Sequence, residues 1–282
     1  MTGAWESFIS LLPIWMRSDV DHRAKNSLQE LHLRIGMYPE LNTSKGTIYL
    51  TKAVCQEDIQ FIINAATRYS PWTAGTSACG YITASGGHRI GICGEAIVSS
   101  GIMTGIRTPT MLCMRVARDI PGIANNIPKL DQSILLIGPP GSGKTTLLRD
   151  LIRRYSAEKK ASIAVVDERG EIFPYHKNNS AFSPGQHTDI LAGCKKAQGI
   201  DAVLRCMGPT AIATDEITAQ EDCIALQQAA WCGVHLYATA HASCQADLSN
   251  RPIYKSIVKS RIFDSVVILN QNKSWTYERM ML

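Results

Sequence analysis

The residues best suited to chemistry form a glycine-rich run at 138–145. Its letters, GPPGSGKT, fit the spacing G-x-x-x-x-G-K-[ST] of a phosphate-binding loop. Glycines let successive backbone N–H groups turn inward around an anion. We expect Lys144 to place its charge on the β and γ phosphates and the Thr145 hydroxyl to ligate Mg²⁺, so the run predicts binding of ATP with Mg²⁺. The residues expected to contact the nucleotide are Gly138, Pro139, Pro140, Gly141, Ser142, Gly143, Lys144, Thr145 and Thr146.

The segments on either side of this run are those that a phosphate cradle requires. Residues 134–137 are all apolar, which is typical of a strand buried on both faces. Within 146–160 the apolar residues recur on one helical face. A helix that starts at the loop adds the positive end of its dipole to the anion site. The alternative is an ordinary glycine-rich turn before a helix, and the flanking elements argue against it.

Two further predicted strands end in an acidic pair, Asp167-Glu168 and Asp215-Glu216. An ATPase with a phosphate-binding loop needs one carboxylate that supports Mg²⁺ and one group that activates or orients the attacking water. We expect Asp215 to support the metal and Glu216 to act as the catalytic base, with Glu168 as the second candidate for that base. The alternative for either pair is that it caps the helix that follows it.

A third strand is predicted at 234–239, and it ends close to His241. A histidine at this edge of the sheet would lie where the γ-phosphate arrives, so His241 is a candidate catalytic residue that senses this phosphate. The alternative is a histidine that serves only the core or the surface.

The order of predicted elements differs between the two halves of the chain. Residues 1–120 contain several strand candidates, including a hairpin at 81–92, and predict a smaller strand-rich α+β domain. Residues 121–132 hold Pro, Gly and Asn clusters and predict a linker. From 133 to 282 strands and helices alternate, which predicts an α/β ATPase domain with a mostly parallel sheet.

Composition limits the remaining classes of function. The net charge of +5 is mild and spread along the chain, so it favours neither nucleic acid nor an acidic membrane. No run of 18 apolar residues occurs, and we expect no transmembrane helix. The nine cysteines include no C-x-x-C pair, which predicts reduced, mostly buried thiols in a cytosolic protein rather than a zinc site.

Taken together, these motifs resemble the secretion ATPases, the RecA-like hexameric motors of type II and type IV secretion. The matching stretches are GPPGSGKTT, VVDERGEI, IATDEIT and HLYATAH. More specifically, the chain looks like the AA family of stage III sporulation proteins of endospore-forming bacteria. This narrower resemblance rests on VVDERGEI and on GYITASGGHRIGICGEAI (80–97), GIRTPTMLCMRVAR (105–118) and TDILAGCKKAQGIDAVLRCMGP (188–209). Thr218 departs from the pattern, since a glycine is expected after Asp-Glu-Ile.

The resemblance implies a RecA-like ATPase domain and a cytoplasmic motor that forms a homo-oligomer, a hexamer. It implies docking onto membrane proteins of a secretion-like channel complex in the mother cell, with no membrane span of its own and no nucleic acid as partner. Such a motor would energise assembly of the channel or transport through it. The alternative is a nucleic-acid-dependent RecA-like ATPase. The basic pI of about 8.7 permits it, but no run of the sequence interleaves aromatic and basic residues as a single-strand platform would. A nucleotide switch would require a guanine-reading Asn-Lys-x-Asp motif, and a small-molecule kinase would require an arginine-rich lid. The sequence shows neither.

An arginine is also expected to complete the phosphate site, because a planar guanidinium can pair with two phosphate oxygens in the transition state. In the resembled ATPases the N-terminal domain supplies arginines, so the resemblance implies Arg107, Arg115 or Arg118. The alternative is that these are surface arginines on a strand edge.

Overall fold

A computed structural model describes residues 4–67, 80–174 and 182–281 of the chain. The described residues fall into two compact units, 4–118 and 119–281. Most of the segment predicted as a linker packs within the second unit: the Tyr237 hydroxyl donates to the Leu130 carbonyl, and Ala124 N–H donates to the Asp150 carboxylate at 2.9 Å. No helix in these ranges is both long and apolar enough to cross a membrane.

The first unit is built on an antiparallel sheet in the order β3-β2-β1-β6-β5-β4. Its strands are β1 (Leu28–Arg34), β2 (Glu40–Thr43), β3 (Gly46–Tyr49), β4 (Tyr81–Thr83), β5 (Arg89–Ser99) and β6 (Ile102–Arg115). Its helices are α1 (Ala4–Leu11), α2 (Ile14–Ala24) and α3 (Gln56–Thr67).

Alternation along β1 decides which face of this sheet is covered. Leu31 and Leu33 are fully buried in the core that Phe8 of α1 and Ile59 of α3 share. The intervening side chains lie on the opposite, partly exposed face. The predicted hairpin at 81–92 is confirmed, with Tyr81 opposite Gly91. The helix α2 was not expected, because charged residues interrupt its apolar positions.

The second unit is built on a sheet in the order β13-β12-β7-β11-β10-β8-β9. Its strands are β7 (Ile134–Ile137), β8 (Ile163–Asp167), β9 (Thr188–Ala192), β10 (Ala211–Thr214), β11 (His235–Ala240), β12 (Ser265–Leu269) and β13 (Trp275–Arg279). All neighbouring strands are parallel except β13, which pairs antiparallel with β12. The predicted mostly parallel α/β sheet is therefore confirmed.

Helices cover both faces of this sheet. They are α4 (Lys144–Lys159), α5 (Lys196–Met207), α6 (Gln220–Trp231), α7 (Gln245–Asn250) and α8 (Lys255–Ser260). On one face, Ile200 of α5 and Leu226 of α6 belong to the same buried cluster as Val166 of β8. On the other, Tyr155 of α4 meets Tyr237 of β11 edge to face at 5.5 Å. Burial on both sides explains why β7, β8 and β10 carry buried residues throughout.

We predict that Gly199→Ala destabilises the protein although alanine is the better helix former. A Cβ at Gly199 of α5 would lie 2.5 Å from the Val166 side chain, which is fully buried in β8. Overpacking of this kind typically costs about 1–3 kcal/mol, which exceeds the propensity gain of about 1 kcal/mol. Urea unfolding should show a lower free energy of unfolding. Gly105→Ala is the matched control, because its Cβ would meet only Ile97 at an ordinary 3.7 Å; equal stability of the two variants would contradict the prediction.

Candidate active site

The loop between β7 and α4 has the backbone that its glycines predict. Gly141 and Gly143 have φ of +75° and +99°, a region that side chains disfavour. A Cβ at Gly138 would lie 2.6 Å from the Leu269 carbonyl oxygen, so only glycine fits there. The Ser142 hydroxyl is buried and has no hydrogen-bond partner among the described residues. An open cradle with an unsatisfied buried hydroxyl suits a polar ligand such as a phosphate.

Lys144 begins α4 and turns back across this loop. Its ammonium donates to the carbonyl oxygens of Gly138 at 2.8 Å and Pro139 at 3.0 Å. The side chain is almost fully enclosed, and burial lowers the pKa of Lys144 although the charges of Asp215 and Glu216 oppose the shift. The positive charge is therefore held inside the cradle, where only a few polar atoms compensate it.

Asp215 lies directly after β10 and is held by two hydroxyl groups. Thr145 donates to its Oδ2 at 2.8 Å, and Thr239 of the adjacent strand β11 donates to its Oδ1. A carboxylate and a hydroxyl in contact at the start of α4 form the oxygen-rich pair that Mg²⁺ prefers. The structure thus brings the two predicted metal residues together.

Glu216 occupies an unusual backbone conformation, with a φ of +44°. Such positions are strained for residues other than glycine and persist only where neighbouring groups fix them. Thr239 does so: its hydroxyl accepts the Glu216 N–H at 2.7 Å, and its carbonyl accepts the Ile217 N–H at 2.9 Å. The Glu216 side chain lies beside His241 and Arg169, whose nitrogens are 2.8 and 3.5 Å from its carboxylate oxygens.

His241 joins the two charged groups on either side of it. Its Nδ1 lies 3.2 Å from the Lys144 ammonium, and its Nε2 lies 2.8 Å from Glu216 Oε1. An ammonium only donates, so Nδ1 must accept, and Nε2 then carries the proton that is donated to Glu216. The contacts assign one neutral tautomer to His241 and make a continuous chain from Lys144 to Glu216.

The earlier acidic pair makes different contacts. Asp167 is buried and accepts the N–H groups of Glu171, Ile172 and Phe173 at 2.9–3.0 Å, and burial is the main cause that raises its pKa. Glu168 pairs with Lys196 at 2.7 Å, and this hydrogen bond lowers the pKa of Glu168. The acidic residues still line one cleft, formed by Asp167, Glu168, Arg169, Glu171, Lys196, Asp215 and Glu216.

Two arginines near the site were not chosen from the sequence. Arg149 of α4 is buried, donates to the carbonyl oxygens of Ile172 and Glu171, and lies over the Phe182 ring. It therefore holds the same turn that Asp167 binds. Arg169 approaches Glu216. Its position directly after Asp167-Glu168 is the sequence signal that could have identified it.

The three arginines expected from the N-terminal domain make contacts within their own unit. Arg107 lies 3.5 Å from Glu95, and Arg115 lies 2.9 Å from Glu30. Arg118 donates to two backbone carbonyl oxygens and stands over the Trp5 ring.

Comparison with known proteins shows the family of this chain. Residues 9–278 match the family described as sporulation stage III, protein AA. The stage III sporulation protein AA of Bacillus subtilis (strain 168) is 36% identical over 266 residues, covering 91% of this chain and 87% of the relative. The chain belongs to the stage III sporulation protein AA family. The resemblance of the sequence to this family is thereby confirmed.

The fold of this family member is shared with the solved structures of an ATPase and of a pilus motor. The ATPase DotB of Legionella pneumophila superposes with a TM-score of 0.61 at 15% identity, covering 95% of this chain and 80% of that one. The pilus retraction motor PilT, solved with bound ADP, gives a TM-score of 0.57 at 15% identity, with 89% and 76% covered. These similarities confirm the predicted fold class, an α/β domain with a mostly parallel sheet preceded by a smaller strand-rich α+β domain.

We predict that Thr239→Val releases the Glu216 backbone. Valine matches threonine in shape but lacks the hydroxyl that links Asp215 to the Glu216 N–H. Loss of such a bond is worth about 1–2 kcal/mol, or a roughly five- to thirtyfold change in a local opening equilibrium. Hydrogen exchange of the Glu216 amide should accelerate accordingly. Thr239→Ser retains the hydroxyl and should keep the parental exchange rate. An unchanged rate in the valine variant would show that the Thr239 hydroxyl does not hold the Glu216 backbone.

Proposed function

We propose that the protein binds ATP with Mg²⁺ at residues 138–146 and hydrolyses it. The observation that supports this most strongly is the contact network that links the loop to two neighbouring strand ends. Lys144 reaches His241, Thr145 reaches Asp215, and His241 reaches Glu216. The ADP bound to PilT, which shares the fold, also supports a nucleotide ligand.

The residues present fit both the nucleotide and the metal. The glycine cradle and the buried Lys144 ammonium suit phosphate oxygens. So does the Ser142 hydroxyl, which has no hydrogen-bond partner within the described part of the chain. Thr145 and Asp215 would hold Mg²⁺, which when bound neutralises charge on the β and γ phosphates.

Glu216 is the residue that we assign as catalytic base. Its carboxylate receives the proton of the attacking water. The His241 Nε2–H, 2.8 Å from Glu216 Oε1, orients this carboxylate. Because His241 also contacts Lys144, it couples the phosphate-binding lysine to the base and is suited to sense the γ-phosphate. Glu168 is the weaker candidate, since the hydrogen bond from Lys196 lowers the pKa of its carboxyl group and so makes it a poorer proton acceptor.

We assign completion of the site to an arginine. Arg107, Arg115 and Arg118 are the candidates from the N-terminal unit, and Arg169 is a candidate beside Glu216. An arginine that stabilises the transition state is worth roughly a thousandfold or more in rate.

In the cell, we propose that ATP hydrolysis drives a motor of the secretion type during endospore formation. The family membership supports the sporulation setting, and the fold shared with DotB and PilT supports a motor. We propose a cytoplasmic homo-oligomer, a hexamer, that docks onto membrane proteins of a channel complex in the mother cell. A nucleic-acid-dependent RecA-like ATPase is the second candidate, and stimulation of turnover by DNA would favour it.

We predict that Glu216→Gln keeps ATP binding but lowers turnover by about 10²–10⁴-fold, because the phosphate cradle survives while the base is lost. Lys144→Ala should weaken both binding and turnover. Phosphate release and equilibrium binding of a fluorescent ATP analogue measure the two effects separately. Glu168→Gln is the matched control and should hydrolyse ATP at nearly the parental rate; the reverse result for the two glutamates would overturn the assignment of the base.

We also predict that alanine at one of the four candidate arginines lowers turnover roughly a thousandfold while nucleotide affinity changes little. Each variant is measured in the assembled oligomer. A loss at Arg107, Arg115 or Arg118 supports the contribution of the N-terminal unit. If turnover falls only in Arg169→Ala, or in none of the four variants, the N-terminal unit does not supply the arginine.

A further inference from the structure

The partly exposed face of the N-terminal sheet carries three side chains that the proposed ATPase does not use. Glu30 and His32 lie two apart on β1, so they project from the same face. Cys113 of β6 is the direct cross-strand partner of His32 in the antiparallel register. All three side chains are of intermediate exposure, and their ligand atoms lie within 4.8 Å of one another.

The three groups converge on a single ring nitrogen. His32 Nε2 lies 3.1 Å from Glu30 Oε2 and 3.8 Å from Cys113 Sγ. A nucleophilic relay requires the acid and the thiol at opposite nitrogens of the imidazole, as in a catalytic triad. Convergence on one nitrogen instead surrounds a common point that a single cation can occupy.

The spacing of these atoms suits tetrahedral zinc. Zinc binds imidazole nitrogen and carboxylate oxygen at about 2.0–2.1 Å and thiolate sulfur at about 2.3 Å, so a tetrahedral site places nitrogen and oxygen about 3.3 Å apart and nitrogen and sulfur about 3.6 Å apart. The observed separations are 3.1 and 3.8 Å. A thiolate, an imidazole and a carboxylate together favour zinc over Mg²⁺ or Ca²⁺.

The surroundings leave the convergence point supported and accessible. Arg115 donates to Glu30 Oε1 at 2.9 Å, which orients the carboxylate and leaves Oε2 facing His32. On the other side of Cys113, its partner in β5 is Gly91, which has no side chain to cover the sulfur. Three protein ligands would leave the fourth position to water or to an external ligand.

We propose that Glu30, His32 and Cys113 form a binding site for one zinc ion that joins β1 to β6. The Cys113 thiol releases its proton to solvent on binding, because the thiolate is the ligand. The alternative is a polar network in which His32 simply donates to Glu30.

Cobalt substitution tests the site in the full-length protein, kept reduced and stripped of metal. Co²⁺ in a tetrahedral site with a thiolate ligand gives a sulfur-to-cobalt charge-transfer band and intense visible bands. We expect these bands to saturate at one Co²⁺ per chain and to disappear when Zn²⁺ displaces the cobalt. Zinc should also raise the melting temperature, since it binds only the folded sheet.

Three variants make the result decisive. Cys113→Ser should abolish the charge-transfer band and weaken zinc binding by about a hundredfold or more, beyond the 10–100-fold that loss of an outer-sphere partner causes. His32→Gln should weaken zinc binding similarly, so the conclusion does not depend on the correct folding of a single variant. Cys93→Ser is the control, because this exposed cysteine lies on the adjacent strand but outside the cluster. Absence of the band in the parent, or its persistence in Cys113→Ser, would overturn the proposal.

Discussion

The parallel pairing of β7, β11 and β10 is the constraint on which the candidate active site depends. Ile137 pairs with Ala240, so the loop that follows β7 starts level with His241. Thr214 pairs with Ala238, which places Asp215 level with Thr239. Two registers, both fixed by backbone hydrogen bonds between apolar strands, therefore account for the Lys144–His241 and Asp215–Thr239 contacts. Shifting either strand by one residue would turn its side chains to the other face and separate these pairs.

This edge of the sheet brings together several features that lower the stability of the folded protein. It encloses the Lys144 ammonium, holds Glu216 at a left-handed φ and leaves the Ser142 hydroxyl without a partner among the described residues. Each of these features lowers stability, and the apolar strands and helices behind the edge offset that loss. A protein retains such a combination where binding a charged ligand relieves it, which agrees with the proposed nucleotide site.

The sequence predicted the elements whose local signals are strong, and missed contacts that only the tertiary structure creates. The loop at 138–145 and the acidic strand ends were visible because spacing and strand position define them. The pairing of Glu168 with Lys196 was not, since the partners are 28 residues apart and come from different elements. The cysteine spacing argued against zinc, whereas the proposed cluster joins His32 and Cys113 across 81 residues. Helix packing creates the first contact and cross-strand register the second, and neither can be read from local sequence patterns.

The most direct test of the nucleotide site is a crystal structure with Mg²⁺ and a non-hydrolysable ATP analogue. We expect the triphosphate in the loop 138–146, with Lys144 on its oxygens, Mg²⁺ beside Thr145 and Asp215, and Glu216 facing the γ-phosphate. A γ-phosphate that faces Glu168, or a Mg²⁺ ion held by Asp167 and Glu168 instead, would contradict this expectation.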